Sequence, residues 1–368
     1  MDIVKKFDLL LFIAIILISL LGVIMIYSSS YIWAEYKFDD PLKYFKAQSL
    51  FFTIGLTLMY IVSKISYRNY LNKANIILAV CFILLVLVLI PGIGTVRNGS
   101  RSWFGIGSLG VQPSEFAKLG LIIFASKYLS KNIKQLKIIK KGVFPILVIT
   151  IIIFGLVMLQ PDFGTGVIIV TSIVGLLFVS GVKMSFFTKI SILGLGGVVG
   201  LIASAPYRVR RILSFLNPWQ DPLGSGFQTI QSLFSIGPGG LLGLGLGNSI
   251  QKHFYLPEPQ TDFVFAIITE ELGFVGALFV SSLFFIIIIR GFKIALNIDD
   301  LFGKFLAFGI TFQIAFQALL NLMVVVGIVP VTGVTLPFLS YGGSSLLITM
   351  ISVGILLNIS RHQEERLK

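Results

Sequence analysis

Long apolar runs constrain this sequence more than any other feature. A helix that crosses a bilayer needs about 20 consecutive, mostly apolar residues. Ten such runs cover residues 8–28, 45–63, 74–91, 113–130, 142–159, 163–181, 187–206, 263–289, 302–327 and 343–360. With 56% hydrophobic and 12% charged residues, the chain lies outside the range of soluble domains. We therefore predict an all-α, multi-pass membrane protein with about ten spans in a single domain, residues 1–368.

The basic residues predict the orientation of these spans. If the N-terminus is cytoplasmic, most of the 29 Lys and Arg residues fall in cytoplasmic segments, as the positive-inside rule requires. An even number of spans then returns the C-terminus to the cytoplasm, and the first run is retained as a span. The same assignment places one large loop, residues 206–262, outside the membrane between spans seven and eight. The net charge of +13 is therefore a topology signal, and no nucleic-acid partner is expected.

The sequence disfavours several kinds of catalytic site. Its single cysteine, Cys81, cannot form an internal disulfide, and no Cys/His cluster suits zinc. His253 is the only histidine in the predicted outer segments, which leaves no Ser-His-Asp set. Residues 224–248 are rich in glycine but lack the Gly-Lys-Ser/Thr of a nucleotide loop. These glycines either turn the chain or let the backbone approach a substrate. Acid-base chemistry must therefore depend on a carboxylate.

Two carboxylates lie at the mouth of the eighth run. Residues 255–263 contain Glu258 and Asp262 beside two prolines, at a predicted water boundary. Asp262 suits two compatible roles, the N-cap of a helix and a general base. Glu270 and Glu271 follow about two turns into the span, and helix geometry allows at most one of them to share a cavity with Asp262. We predict that Glu270 is structural.

The fourth run begins with the signals of a helix start. Pro113 suits a first helical turn, and Glu115 is favourable at the positive end of a helix. Glu115 and Lys118 are spaced to pair on one helical face. Charged residues inside a span usually indicate a functional site, because their burial is costly. A structural ion pair in which Glu115 and Lys118 neutralise each other explains the spacing equally well. Arg101, just before this run, is either a lipid-headgroup anchor or a bidentate phosphate ligand.

Three further segments carry local signals. Gln160 and Asp162 lie between the fifth and sixth runs, where they are either turn residues or part of an outer site. Residues 329–345 are rich in hydroxyls, glycines and prolines, and irregular backbone at membrane depth survives only inside protein or along a cavity. The glycines of residues 194–200, in the seventh run, are predicted to allow close helix packing.

The outer ends of the predicted spans collect one polar set. Its members are Arg101, Gln112, Glu115, Lys118, Gln160, Asp162, Arg208, Arg210, Glu258, Thr261, Asp262, Ser344 and Ser345. Cations with many hydroxyl and amide groups suit a phosphorylated, sugar-bearing substrate. ATP is scarce outside the membrane, so a donor there must carry its own activated bond, and a lipid diphosphate is the natural carrier in a bilayer. This points to glycosyl transfer by a carboxylate base, with cations that stabilise the departing diphosphate.

Several motifs occur in a characteristic order. They are Asn98–Trp103, Gln112–Lys118, Gln160–Thr165, Tyr207-Arg208 with Arg211, Leu256–Asp262 with Glu270–Gly273, and Leu336–Ser345. In these motifs the chain resembles, along essentially its whole length, the SEDS family of bacterial cell-wall proteins, which includes FtsW, RodA and SpoVE. Residues 215–219 and 247–252 are more similar to the FtsW/SpoVE branch than to RodA.

The resemblance implies a peptidoglycan glycosyltransferase that polymerises lipid II at the outer face of the bacterial cytoplasmic membrane. It also implies a class B penicillin-binding protein, a transpeptidase, as partner. Asp262 matches the essential aspartate of the family, and we expect it to be the general base of an inverting transfer that releases undecaprenyl diphosphate. The cations expected to hold the diphosphate are Arg101, Lys118 and Arg208 or Arg210. A divalent cation, Mg²⁺ or Mn²⁺, is a further candidate for holding the diphosphate. The rest of the polar set is expected to bind substrate.

Two other functional classes remain open from the sequence. A lipid II flippase also fits many spans with intramembrane charges, although no pair of matching broken segments in two halves supports it. A non-catalytic scaffold that recruits the transpeptidase would tolerate the substitution Asp262→Ala.

Overall fold

The structure is a bundle of long helices with one small hairpin. The computed structural model describes residues 7–97, 99–105, 110–204, 206–224 and 226–362. Within these ranges the helices are α1 (Leu9–Phe38), α2 (Lys43–Lys64), α3 (Arg68–Leu87), α4 (Pro113–Lys131), α5 (Phe144–Met158), α6 (Phe163–Val179), α7 (Met184–Ala203), α8 (Pro206–Leu216), α9 (Phe227–Gly239), α10 (Val264–Asn297), α11 (Leu301–Val325) and α12 (Gly343–Ser360). Strands β1 (Thr95–Arg97) and β2 (Ser100–Trp103) form an antiparallel hairpin before α4.

The helices make this a multi-pass membrane protein. Over the described ranges, seven helical stretches are long and apolar enough to cross a membrane: α1, α2, α3, Ile139–Met158 including α5, α10, α11 and α12. α6 is equally apolar but shorter, and α4 carries Glu115 together with three lysines. The all-α prediction is confirmed. Each of the ten predicted runs coincides with a helix, but ten spans stay a prediction because seven meet the criteria of length and composition.

The helices pack around one continuous apolar core. α10 contacts α1, α9 and α11, while α4 contacts α3, α6 and α11, and α12 lies along α2. Two glycines let other parts of the backbone approach a helix closely. A Cβ on Gly22 of α1 would overlap the carbonyl of Phe338, and a Cβ on Gly354 of α12 would overlap the carbonyl of Met59 of α2. This packing brings the N-terminal ends of α4, α6, α10 and α12 to the same end of the bundle as the C-terminal end of α11.

α10 is broken at Gly273, and another part of the chain fills the break. Gly273 has φ 65° and ψ −161°, which no regular helix contains. The freed backbone groups pair with the glycine-rich segment that follows α9: Leu244 N–H donates to the carbonyl of Glu270 at 2.9 Å, and Phe274 N–H donates to the carbonyl of Gly240 at 2.9 Å. Glycine is needed here because the two backbones touch. Neither sequence-based alternative for this loop, a turn of the chain or approach of the backbone to a substrate, included this contact with the protein's own helix α10.

The glycines of α7 do not behave as predicted. A Cβ placed on Gly194, Gly196, Gly197 or Gly200 would meet nothing within 4 Å. The most extensive contacts of α7 are with α8, which continues directly from it. Within the described ranges no neighbouring helix approaches that face, so the prediction of close helix packing through these glycines is wrong for this part of the structure.

The break in α10 predicts a sharp difference between two glycines of one loop. Gly243 has φ +78°, and an added Cβ would overlap the carbonyl of Glu271, whereas Gly247 has φ +84° but open space around it. Both Gly→Ala variants carry the strain of a left-handed backbone, about 1–2 kcal/mol. We expect Gly243→Ala to lower the Tm of the purified protein by several degrees more than Gly247→Ala. Equal Tm values for the two variants would contradict the insertion of this loop into α10.

Candidate functional site

Asp262 lies at the start of α10, outside the helix proper. α10 begins at Val264 with Phe263 at the N-cap position, so the predicted N-cap role of Asp262 is wrong. The side chain of Asp262 is half-buried. Its backbone is fixed from another helix, because Asn321 Nδ2 of α11 donates to the Asp262 carbonyl at 2.8 Å. The aspartate is therefore held in place by its backbone.

An irregular segment passes beside the Asp262 carboxylate. This segment, residues 326–342, links α11 to α12; its residues 336–340 are buried, whereas Gly333 is exposed. Gly333 has φ +73°, and a Cβ there would lie 3.7 Å from Asp262 Oδ2. Asn321 Nδ2 also donates to the Val334 carbonyl at 2.7 Å, so one amide fixes both chains that flank the carboxylate. The burial agrees with the expectation that irregular backbone at this depth lies inside protein.

The Glu115–Lys118 pair is formed and connects to the same segment. Lys118 Nζ lies 2.9 Å from Glu115 Oε1, and both side chains are buried. Lys118 also donates to Gln317 Oε1 at 2.9 Å, and Gln317 Nε2 donates to the Thr335 carbonyl at 3.0 Å. The chain of polar contacts thus runs from the first turn of α4 through α11 to the segment beside Asp262. Pro113 and Glu115 lie in the first turn of α4 as the sequence predicts.

A second polar chain joins α4, α6 and α12. Gln112 Nε2 donates to Asp162 Oδ2 at 3.1 Å, and Asp162 caps α6 by accepting from Thr165 N–H at 3.1 Å. The Gln112 N–H donates to Ser344 Oγ at 3.0 Å, and that hydroxyl donates to the Gly110 carbonyl at 3.1 Å. Burial raises the pKa of the Asp162 carboxyl above its ordinary value, against the lowering effect of the Thr165 hydrogen bonds. Asp162 is thus both a turn residue and a member of the polar cluster.

The hairpin β1–β2 covers Gln160. The hydroxyls of Ser100 and Ser102 donate to the Gln160 carbonyl. The Gln160 side chain is fully buried, and within the described ranges neither of its amide atoms has a hydrogen-bond partner. Arg101 Nη1 reaches the Leu89 carbonyl at 3.4 Å, while its buried Nε likewise lacks a partner there.

The remaining predicted site residues either lie further from the polar cluster of α4, α6 and α12 or have a side chain outside the described residues. Glu258 is exposed, with φ 51°, and accepts from Gln260 Nε2 at 3.2 Å. Thr261 donates its hydroxyl to the Glu258 carbonyl at 3.1 Å. Arg210 is exposed on α8, and Ser345 is half-buried in the first turn of α12. The Arg208 side chain lies outside the described residues.

Glu270 and Glu271 are occupied in holding a loop. Glu270 accepts from Ser249 Oγ at 2.5 Å and from Ile250 N–H at 2.9 Å. Glu271 forms a fully buried ion pair with Lys252 at 2.8 Å and accepts from the Ser28 hydroxyl of α1. Both carboxylates therefore fasten residues 247–252 to the break in α10, which agrees with the structural role predicted for Glu270.

Sequence reasoning missed two residues that organise the site, Gln317 and Asn321. They are buried amides four residues apart on α11, and each donates to the backbone of residues 334–335. The signal that could have found them is the cost of polar groups inside an apolar span. Across the described ranges, no group of three or more His, Cys, Asp or Glu residues is arranged to bind a metal ion.

The fold and the site define a class: a multi-pass helical membrane protein with a buried polar cluster around an aspartate at one end of its bundle. The sequence pattern of the FtsW/RodA/SpoVE family, described as cell cycle proteins, matches residues 8–365. The chain belongs to this family.

Individual relatives agree with this assignment. Stage V sporulation protein E of Bacillus subtilis is 52% identical over 96% of this chain and 97% of its own length. The probable peptidoglycan glycosyltransferase FtsW of Trichlorobacter lovleyi is 41% identical over 96% of this chain and 93% of its own. A chain from a solved peptidoglycan synthase complex superposes with a TM-score of 0.77 at 32% identity, covering 97% of this chain and 99% of that chain. The two sequence relatives, a SpoVE-type and an FtsW-type protein, agree with the FtsW/SpoVE branch predicted from the sequence.

The amide of Gln317 is testable through stability. Gln317→Leu would leave the Thr335 carbonyl without its donor and would remove one of the two partners of the buried Lys118. A buried group left unpaired costs about 1–3 kcal/mol. We expect a clearly lower Tm for the purified variant.

The matched control is Gln313→Leu, one turn earlier on α11. The Gln313 side chain is half-buried and takes no part in the network. Its replacement should change the Tm little. If both variants unfold at the wild-type temperature, the network does not support the site.

Proposed function

We propose that this protein is a peptidoglycan glycosyltransferase that joins lipid II units into glycan strands at the outer face of the cytoplasmic membrane. The observation that carries the proposal is the position of the Asp262 carboxylate. It lies beside Gly333, in the segment that the polar chain from α4 reaches through Gln317 of α11. Relatives that match nearly the whole chain are named as probable peptidoglycan glycosyltransferases, which supports the reaction class.

Asp262 is the proposed general base. Its carboxylate takes the proton from the 4-hydroxyl of GlcNAc on one chain while that oxygen attacks C1 of MurNAc on another. The bond between C1 and the diphosphate oxygen breaks, and undecaprenyl diphosphate leaves with the electron pair. Because this is a single displacement, the configuration at C1 inverts. Fixing the Asp262 backbone through Asn321 limits the motion of the base, as catalysis by positioning requires.

The cations divide into two roles. Arg101 and Arg210, with Arg208, are the proposed ligands of the departing diphosphate, since guanidinium groups bind phosphate oxygens in pairs. Lys118 is already neutralised by Glu115 and engaged with Gln317, so it organises the site and contributes little free charge. Glu258 and Thr261 are proposed contacts at the exposed rim. The proposed substrate contacts inside the cluster are Gln112, Glu115, Gln160, Asp162, Ser344 and Ser345.

A divalent cation would have to arrive with the substrate. Mg²⁺ is commonly bound through one or two carboxylates plus substrate phosphates, and no larger protein cage is present in the described part of the chain. Such an ion would neutralise charge on the departing diphosphate. We expect EDTA to lower polymerisation and added Mg²⁺ or Mn²⁺ to restore it, measured as glycan product on gels. Full activity in EDTA would contradict this part of the proposal.

The proposed partner is a class B penicillin-binding protein, and the proposed location is the bacterial cytoplasmic membrane. The partner proposal is supported by the similarity to a chain of a peptidoglycan synthase complex that coordinates polymerization and crosslinking. The location is supported by the apolar helices and by the segregation of lysines to one end of the bundle.

The substitution Asp262→Asn tests the reaction directly. It keeps the size of the side chain and the Asn321 hydrogen bond to the backbone but removes the base. We expect lipid II polymerisation by the purified protein, with its transpeptidase present, to fall by about 10²- to 10⁴-fold. Asp40→Asn is the matched control, because Asp40 is an exposed aspartate of the α1–α2 loop that pairs with Lys46. A near wild-type rate for Asp262→Asn would rule out Asp262 as the base.

A flippase is the second candidate, and the broken helix α10 is the observation that favours it. The break is filled by residues 240–245, however, and its backbone groups point into protein contacts, not into an open path. A vesicle assay separates the two functions. Lipid II that reaches the far leaflet without polymer would favour transport, and polymer that forms only with intact Asp262 would favour the transferase.

A further inference from the structure

An apolar groove lies between α3 and α5, and its polar end at Asn75 is directed toward the C-terminal end of α4, away from the proposed active site. The residues that line it include Asn75, Leu78, Ala79, Phe82, Ile149 and Ile152, and its volume is about 480 Å³. α4 contacts both α3 and α5. Only 17% of the most apolar stretch of α3 is buried within the protein, the lowest share among the candidate spans. This face must be covered by something else in the membrane.

The cytoplasmic end of the groove is cationic. Lys127 of α4 donates to Asn75 Oδ1 at 3.0 Å, which places an ammonium group at the polar end of the lining. Lys131 is exposed one turn further along α4, and Lys141 is exposed at the approach to α5. The Tyr128 hydroxyl donates to the Lys141 carbonyl at 2.9 Å and so keeps Lys141 close to the end of α4.

These lysines are not neutralised by neighbouring acids. No ion pair found among the described residues includes Lys127, Lys131 or Lys141. From Lys64 to Leu159 the only acidic residue is Glu115, which pairs with Lys118 near the opposite end of α4. The mouth of the groove therefore carries a local positive charge that attracts an anion.

We propose that an anionic phospholipid of the cytoplasmic leaflet binds here. Its phosphate contacts Lys127, Lys131 and Lys141, and one acyl chain lies in the groove between α3 and α5. Basic pockets between helices on the cytoplasmic side suit anionic headgroups, and apolar side chains suit the acyl chain. The charge decides against the helix of a partner protein, because such helices carry Lys and Arg at the cytoplasmic end and would be repelled by these lysines.

The probe is a mixture of palmitoyl-oleoyl phosphatidylglycerol and palmitoyl-oleoyl phosphatidylcholine at equal concentration. The full-length protein is purified in neutral detergent, incubated with the mixture, and analysed by native mass spectrometry. We expect the wild-type protein to retain phosphatidylglycerol in preference to phosphatidylcholine. A lysine near an anionic lipid surface is worth about a fivefold change in affinity. The variant with Lys127→Gln, Lys131→Gln and Lys141→Gln should therefore lose about tenfold or more of that preference.

A matched control removes the same charge elsewhere. Lys64, Lys293 and Lys304 lie near the ends of α2, α10 and α11 and do not line the groove, so replacing all three by Gln should leave the preference unchanged. Ala79→Phe fills the groove and should reduce retention of both lipids.

Three results would overturn the proposal. The first is wild-type preference in the groove triple variant, and the second is an equal loss in the control triple variant. The third is undiminished phosphatidylglycerol retention by Ala79→Phe.

Discussion

Backbone polar groups buried inside a membrane protein need partners, and this requirement shapes the half of the molecule that contains the proposed active site. Two stretches depart from helical geometry there, the break in α10 at Gly273 and the segment of residues 326–342. Within a bilayer each unpaired N–H or C=O would cost several kcal/mol. The first stretch is satisfied by the backbone of residues 240–245, the second by the amides of Gln317 and Asn321. Both solutions bring distant parts of the chain together.

The same hydrogen bonds determine where the proposed base lies. Asn321 donates to the carbonyls of Asp262 and Val334 from one amide, so the aspartate and the segment beside its carboxylate move together with α11. Gln317, one turn earlier, ties that segment to the Glu115–Lys118 pair. A charged pair that could have been purely structural thus stabilises the wall of the site. Structural support and function are provided here by the same contacts.

Local signals predicted local features well. Pro113 begins α4, the Asp162 turn caps α6, and residues 329–342 are irregular with a buried stretch at 336–340, because each outcome follows from the chemistry of a few adjacent residues. The partners across the bundle could not be predicted in this way. Glu271 meets Ser28, and Gln317 meets Lys118, across long stretches of intervening sequence that carry no pattern to announce the contact. The glycines of α7 show the converse, since a packing motif has no effect where no helix approaches.

Charge is distributed differently at the two ends of the bundle, and the difference suits two kinds of ligand. At the proposed active-site end, the buried cations Lys118 and Lys252 are each paired with a glutamate, and each pair offsets part of the cost of desolvating its charges. At the other end, the lysines beside α3 and α5 form no ion pair within the described ranges. A charge that is never neutralised by the protein is useful only if the surrounding membrane supplies the counter-charge. The cytoplasmic leaflet, with its anionic headgroups, supplies it continuously.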